Sequence, residues 1–245
     1  MESKLLNKYH IPNFISGMEN DLREQNVGEE LKNNIETIID ALDIQPAYIY
    51  TGRQCHGSNV EYATGKNGRD YIIGRIFDEA DGVYTDQPGT AMWVKFADCT
   101  PVVLYDPKNH ALAIAHSGWR GTVKRISEKA LRKMSGRFGT QAEDVIAYVG
   151  PSIGQDDYEV GPEVYDAFEE FDSRDDFFYQ KGEKYHLHMV EANISILRDN
   201  GLRPYNVEAA EEVTWGNPDL HSSREEGEGY GLNAMLVMLP EKEEK

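Results

Sequence analysis

Cysteine is nearly absent: only Cys55 and Cys99 occur among 245 residues. Two thiols cannot build a disulfide framework, and in a chain of this kind a few Cys near His point to a metal or to catalysis. Long apolar runs are missing too, since nothing approaches the ~20 residues of a membrane span. The first residues, MESKLLNKYH, carry charges but no apolar stretch or small-residue cleavage site, so no secretory signal is expected there and a cytoplasmic location is. Positive charge is also scarce. Lys and Arg number 25 against 43 Asp and Glu, a formal charge of −18. Such a surface repels nucleic-acid phosphates, whose binding is driven by counterion release to Lys and Arg. The expected partners are small molecules, with no nucleic acid and no membrane; a local basic pocket leaves room for a phosphorylated or nucleoside substrate.

What is present reads as an ordinary globular chain, 40% hydrophobic and 28% charged. Leu31, Ile35, Ile38, Ile39 and Leu42 recur at helical spacing within residues 27–43, which predicts an amphipathic helix. A strand is expected over 47–50, and loop or hairpin over 63–75. AMWVKFA, PVVLYD and HALAIAHS are short β-rich runs, the last ending at Gly118. Val123, Ile126, Ala130, Leu131 and Met134 then share a helical face. VIAYV and LNAMLVML read as further strands, GPEVYDAFEEF and HMVEANISILRDNGL as helices. DSRDDFFYQKGEKYH reads as a polar loop, and the tail EKEEK as solvated and frayed. No linker rich in Gly, Ser or Pro divides the chain, so a single domain with mixed strands and helices is expected.

Three residues with metal-ligand chemistry fall where strands end: His56, Cys99 and His116. Their wide separation rules out a zinc-finger knuckle, so a site made of them must be assembled by the fold. Two imidazoles and a thiolate suit Zn²⁺ and leave one tetrahedral position open, the pattern of a catalytic site. A buried core thiol at Cys99 and a surface-loop histidine at His56 are the plainer readings. Cys55 can replace a histidine, although in an extended segment neighbours 55 and 56 point to opposite faces. In HSGWRGT two glycines bracket Arg120 just before a helix, so backbone N–H groups converge on a turn that can receive an anion, with Lys124 nearby. The plainer reading is that the glycines serve the turn.

GRQCHGSNV, ADGVYTD, FADCTPVVLYD, IAHSGWRGTVKRI and VGPSIGQDDYEVGPEV, in this order, resemble the YfiH-like laccase-domain family. Its members were first named multicopper polyphenol oxidoreductases and are better described as zinc-dependent purine nucleoside phosphorylases. The resemblance implies an α+β fold, a layered α/β/β/α sandwich with mixed sheets. It implies His56, Cys99 and His116 as zinc ligands. It also implies phosphorolysis of adenosine, inosine, guanosine and methylthioadenosine, with adenosine deamination as a side activity. Purine nucleosides and phosphate are then the expected partners.

On that reading Arg53, Arg120 and Arg224 are candidate contacts to the anion or the transition state. Asp98 is expected to orient a zinc-bound histidine, and Asp81 either does the same or only forms a turn before Gly82. The sequence departs from the family near its N-terminus, where ISGMENDLREQN replaces a Thr-Arg-x-Gly-Gly stretch. It departs again at Asp156-Asp157, Val213, Glu225 and Leu232, losing cysteines and arginines. Three other chemistries are weighed: nucleoside or peptidoglycan-precursor binding and editing without phosphorolysis, a cysteine hydrolase with Cys99 as nucleophile and His116 as base, and a copper laccase.

Overall fold

The structure, a computed structural model, describes residues 1–242. Among them fifteen strands follow in chain order: β1 (Asn13–Ile15), β2 (Tyr48–Gly52), β3 (Val60–Tyr62), β4 (Arg69–Asp70), β5 (Arg75–Phe77), β6 (Gly82–Thr85), β7 (Thr90–Phe96), β8 (Thr100–Asp106), β9 (Ala111–Ser117), β10 (Ile146–Val149), β11 (Glu159–Val160), β12 (Phe178–Lys181), β13 (Lys184–Leu187), β14 (Val207–Ala209) and β15 (Asn233–Leu239). They form a six-stranded sheet in the order β1-β15-β7-β2-β5-β4, a second in the order β14-β10-β8-β9-β6-β3, and a small sheet β11-β13-β12. Both large sheets are mixed: β7 pairs antiparallel with β15 and parallel with β2, and β6 pairs antiparallel with β9 and parallel with β3.

The sheets pack face to face because their strands are apolar on both sides. In β7, Met92, Val94 and Phe96 join Val103, Leu112, Ile114 and Tyr148 in the core between the sheets. The alternate residues Ala91 and Trp93 meet the Leu31–Ala41 helix through Leu31, Ile35, Ile38 and Ile39. On the far side Val102, Leu104, Ala113 and Ala147 meet the Ile126–Phe138 and Met189–Asp199 helices through Ala130, Met134 and Leu197. The layers run helix, sheet, sheet, helix, as the family resemblance implies.

Two expectations need correction. The helix expected over 27–43 is regular only over Leu31–Ala41, preceded by two short turns. The stretch 172–186 is no polar loop. It holds the Arg174–Phe177 turn of helix and a β12–β13 hairpin around a cluster of Phe168, Phe171, Phe177, Phe178 and Leu187. Gly182, at φ +64°, begins the two-residue turn of that hairpin, where a left-handed backbone favours glycine. The end of the EKEEK tail lies outside the described residues.

Candidate metal centre

Residues 97–99 carry the chain from β7 in one sheet to β8 in the other, which puts Cys99 at the seam between them. His116 is the next-to-last residue of β9, opposite Pro101 of β8, on the inward side shared by Leu112 and Ile114. His56 comes from the corner after β2. The ligating atoms of His56, Cys99 and His116 lie within 4.8 Å of one another. The two imidazole rings are 5.0 Å apart and steeply inclined, at 77°. Their exposure is graded: His116 is buried, Cys99 half-buried and His56 exposed. The cluster is therefore rooted in the sheet and open on one side.

Asp81 organises it. This fully buried carboxylate accepts the N–H groups of His56 at 2.9 Å, Gly57 at 2.8 Å and Cys55 at 3.2 Å. Its Oδ1 lies 3.0 Å from Nδ1 of His116. The strand register brings the two together: Gly82 pairs with Ala115, and the His116 N–H donates to the Asp81 carbonyl at 2.7 Å. With Nδ1–H turned to the carboxylate, Nε2 is the nitrogen left free for the cluster. The same carboxylate fixes the corner that carries His56, whose φ of +56° is a strained value outside glycine. The corner is not extended, and the Cys55 thiol turns to Asp81 at 3.3 Å instead of joining the cluster.

The electrostatics favour a ligand set. Burial pushes the Asp81 carboxyl up, but the hydrogen bond and charge of His116 and the Gly57 and Cys55 amides outweigh it, holding the group well below the usual carboxylate range. Burial also pushes the Cys99 thiol up; His116 and His56 overcome this and bring it down to about 6. Burial lowers His116, while Cys99 and Asp81 raise it to about 9. A thiolate next to an imidazolium is what the metal-free cluster favours, and a cation can replace that proton. Cys55 goes the other way, raised by burial and by Asp81.

Gly118 completes the cradle. A Cβ there would sit 2.9 Å from Cδ2 of His56 and 3.0 Å from the Cys99 sulfur, so only glycine leaves the ligands room. A Cβ on Gly121 would meet the Gly57 carbonyl at 2.9 Å. The glycines of HSGWRGT thus serve close packing against the His56 corner and the Cys99 sulfur. The helix they begin is five residues long, Trp119–Val123.

A cleft of about 790 Å³ opens over the cluster, which forms its floor. Arg53, Gln54, Lys95 and Ala97 form one wall, and Arg23, Tyr71, Ser223 and Tyr230 close it from loops. Of the candidate arginines, Arg53 lines the cleft. Arg120 is exposed outside that lining, its guanidinium 4.3 Å over the Trp119 ring. Arg224 donates to the Glu159 carbonyl at 3.2 Å and lies 5.4 Å from the Tyr158 ring centre.

Asp98 does not orient a histidine. At φ +83° its side chain turns away and accepts from Thr214 Oγ1 at 2.6 Å and from Ser222 Oγ, Ser223 Oγ and the Arg224 N–H, each at 2.7 Å. It ties the 214–224 loops to the cluster's edge. The sequence reading missed Lys95, Gln54, Ser223 and Tyr158. Lys95 left a signal, a lone charge inside an apolar strand. Tyr158 left none: only in the structure does burial raise its hydroxyl, with Cys99, Arg224 and Arg120 reaching it electrostatically.

The chain belongs to the multi-copper polyphenol oxidoreductase laccase family, whose sequence pattern matches residues 13–240. It is similar to a purine nucleoside phosphorylase of Bacteroides thetaiotaomicron, 40% identical over 163 residues, which are 65% of this chain and 60% of that protein. It is also similar to the purine nucleoside phosphorylase YlmD of Bacillus subtilis, 30% identical over 206 residues, covering 82% of this chain and 73% of the other. Among solved structures, the hypothetical protein YfiH of Bacillus licheniformis superimposes with a TM-score of 0.82 at 26% identity, covering 87% of this chain and 85% of that one. The match to the Bacteroides relative spans less than two thirds of that protein's length. Among the described residues no helix is long and apolar enough to cross a membrane.

Proposed function

We propose that the protein is a zinc-dependent purine nucleoside phosphorylase, with adenosine deamination as a side activity. The observation that carries this reading is the His56, Cys99 and His116 cluster on the floor of an open cleft, braced by Asp81 and given room by Gly118. The donor set fits Zn²⁺, which would supply Lewis acidity with a position left open to substrate. Copper-laccase chemistry needs several ions and many more histidines; the chain has seven, of which two are in the cluster. The names of the two phosphorylase relatives support the same substrate class.

The chain's own groups have these tasks. Tyr71 and Tyr230, the latter stacked by Arg23, line the cleft with aromatic surface that a purine can pack against, and Arg53 offers charge to an anion. In phosphorolysis a phosphate oxygen bonds to C1′ of the ribose as the C1′–N9 bond breaks. The purine leaves with the electron pair and takes up a proton, and ribose 1-phosphate remains. Asp98 acts at one remove, holding Ser223 on the cleft wall. Arg120 and Arg224 stand outside the cleft lining.

One observation favours a second reading. Asp81, His116 and Cys99 stand in the order of an acid–imidazole–thiol hydrolase, with a depressed thiol. Metal content separates the two. Purified protein should carry about one zinc and convert inosine or adenosine to free base only when phosphate is present, and chelation should abolish this. Activity that survives complete zinc removal and is blocked by thiol alkylation would replace the phosphorylase reading with the hydrolase one.

A further inference from the structure

Lys95 is the one charge in the strand TAMWVKF, and it lies on the Trp93 side of β7, opposite Met92, Val94 and Phe96. Its backbone is held at both ends. The Gln54 side chain accepts the Lys95 N–H at 2.8 Å and donates to the Lys95 carbonyl at 2.6 Å, continuing the ladder where β2 has ended. The direction of the side chain from Cα is therefore fixed, and it lines the cleft half-buried. Its ammonium is 5.9 Å from the Trp93 ring and has neither an ion-pair partner nor a hydrogen-bond acceptor among the described residues. Burial lowers its pKa, Glu24 raises it and Arg53 lowers it further.

A desolvated ammonium without a partner is costly, and a fold keeps one where something else supplies the counter-charge. The neighbours make the need larger. Arg53 reaches Asp78 only at 3.8 Å, and Arg69 already holds that acid at 3.0 Å. Arg23 donates to the Tyr230 carbonyl at 2.8 Å and stacks 4.1 Å over its ring, contacts that leave its charge unneutralised. Glu24 is the single acid among the described residues lining this cleft, against three cations. A chain with a net charge of −18 thus concentrates positive charge in one cleft.

We propose that the Lys95 wall of this cleft is an anion subsite, with Arg53 beside Lys95 and Arg23 on the loops that close the cleft, and that its ligand is a phosphate group. Its identification with the phosphate co-substrate rests on the phosphorylase reading; the subsite itself does not.

The test titrates the zinc-loaded protein calorimetrically with inorganic phosphate and, separately, with adenosine 5′-monophosphate, using wild type, Lys95→Met and Lys95→Arg. Met keeps the length of the side chain and removes its charge; Arg keeps the charge. Lys95→Met should bind phosphate at least about tenfold more weakly, the size of one lost charged hydrogen bond, while Lys95→Arg stays close to wild type. Lys95→Met should melt no lower than wild type, because it removes an unpaired half-buried charge. A loss for orthophosphate identifies the free co-substrate, and a loss confined to the nucleotide identifies a phosphorylated substrate. Either outcome supports the subsite. Equal affinity of Lys95→Met and wild type for both ligands overturns it, as does a lowered melting point with equal losses in the Met and Arg variants. Since binding is read without turnover, Lys95-dependent phosphate binding in a protein that never releases purine would sink the phosphorylase reading and leave the subsite standing.

Discussion

Asp81 and Asp98 are both buried carboxylates saturated with hydrogen bonds, yet they hold different kinds of structure. Asp81 grips one tight corner, three successive amides from residues 55–57, together with the His116 ring. Asp98 grips hydroxyls and one amide from segments more than a hundred residues further along the chain. The first arrangement fixes the His56 corner and the His116 ring against one carboxylate. The second attaches a loop that forms one side of the cleft. One carboxylate thus braces the His56, Cys99 and His116 cluster, and the other braces a wall of the cleft above it.

Breaking the first node should have the largest effect. Asp81→Asn leaves an amide NH₂ facing backbone N–H donors and removes the charge beside His116. The cost should be about 3–5 kcal/mol of stability, as for other buried pairs that lose one partner. Metal affinity should fall about 10–100-fold. Thermal melting of the metal-free protein and elemental analysis after dialysis read the two effects. Cys99→Ser should lose zinc and activity outright. An Asp81→Asn protein that melts and binds zinc like wild type would show that the register alone positions His116.

The pH dependence sharpens the same point. The folded Asp81 carboxyl lies below its unfolded value of about 3.9, so its contribution is complete above about pH 5 and is lost as the pH falls through the acid range. In metal-free protein, the melting gap between wild type and Asp81→Asn should therefore stay constant from about pH 7 to about pH 5 and close below about pH 4. A gap that widens in acid would give the carboxyl the opposite shift.

The second node should break more gently. Asp98→Asn keeps an acceptor for Thr214 and Ser222 but turns a donor toward Ser223 and the Arg224 N–H, at a cost of about 1–3 kcal/mol. Zinc should remain. KM for the nucleoside should rise more than kcat falls, because Ser223 leaves the wall while the floor keeps its shape. Loss of zinc in this variant would mean that the loop also holds Cys99.

These two acids also mark where sequence reasoning stops. His56, Cys99 and His116 were candidates because few side chains ligate metals well, and the family resemblance picked out the three together. The strands themselves were legible because residues buried on both faces read as continuous apolar runs. Which carboxylate braces a histidine was not: Asp98 and Asp81 were both candidates. Asp98 adjoins a ligand in sequence, but a φ of +83° sends its side chain elsewhere, whereas Asp81 is brought to His116 by a pairing between β6 and β9. Adjacency along the chain does not imply adjacency in space. The β12–β13 hairpin was hidden for a related reason: its apolar residues are packed by helices from elsewhere, and the local composition of 172–186 is polar.

Cys55→Ser should have the smallest effect, and it tests whether Asp81 or the neighbouring thiol sets the corner. Cys55 is exposed, its sulfur lies 3.3 Å from Asp81, and it is outside the metal cluster. The hydroxyl of serine can donate to the same carboxylate oxygen, and the Cys55 N–H keeps its bond. Stability should therefore change by less than about 1 kcal/mol, with zinc and turnover retained. The two thiols should also differ in reactivity. In metal-free protein near neutral pH, Cys99 is largely thiolate while Cys55 is held protonated by burial and by Asp81. Iodoacetamide should then modify Cys99 faster despite its lower exposure, and zinc should protect it, while Cys55 reacts slowly with or without metal. Peptide mass mapping at timed intervals reads both rates. Faster labelling of Cys55, or zinc protection at Cys55 instead of Cys99, would mean that the corner turns the other thiol toward the metal.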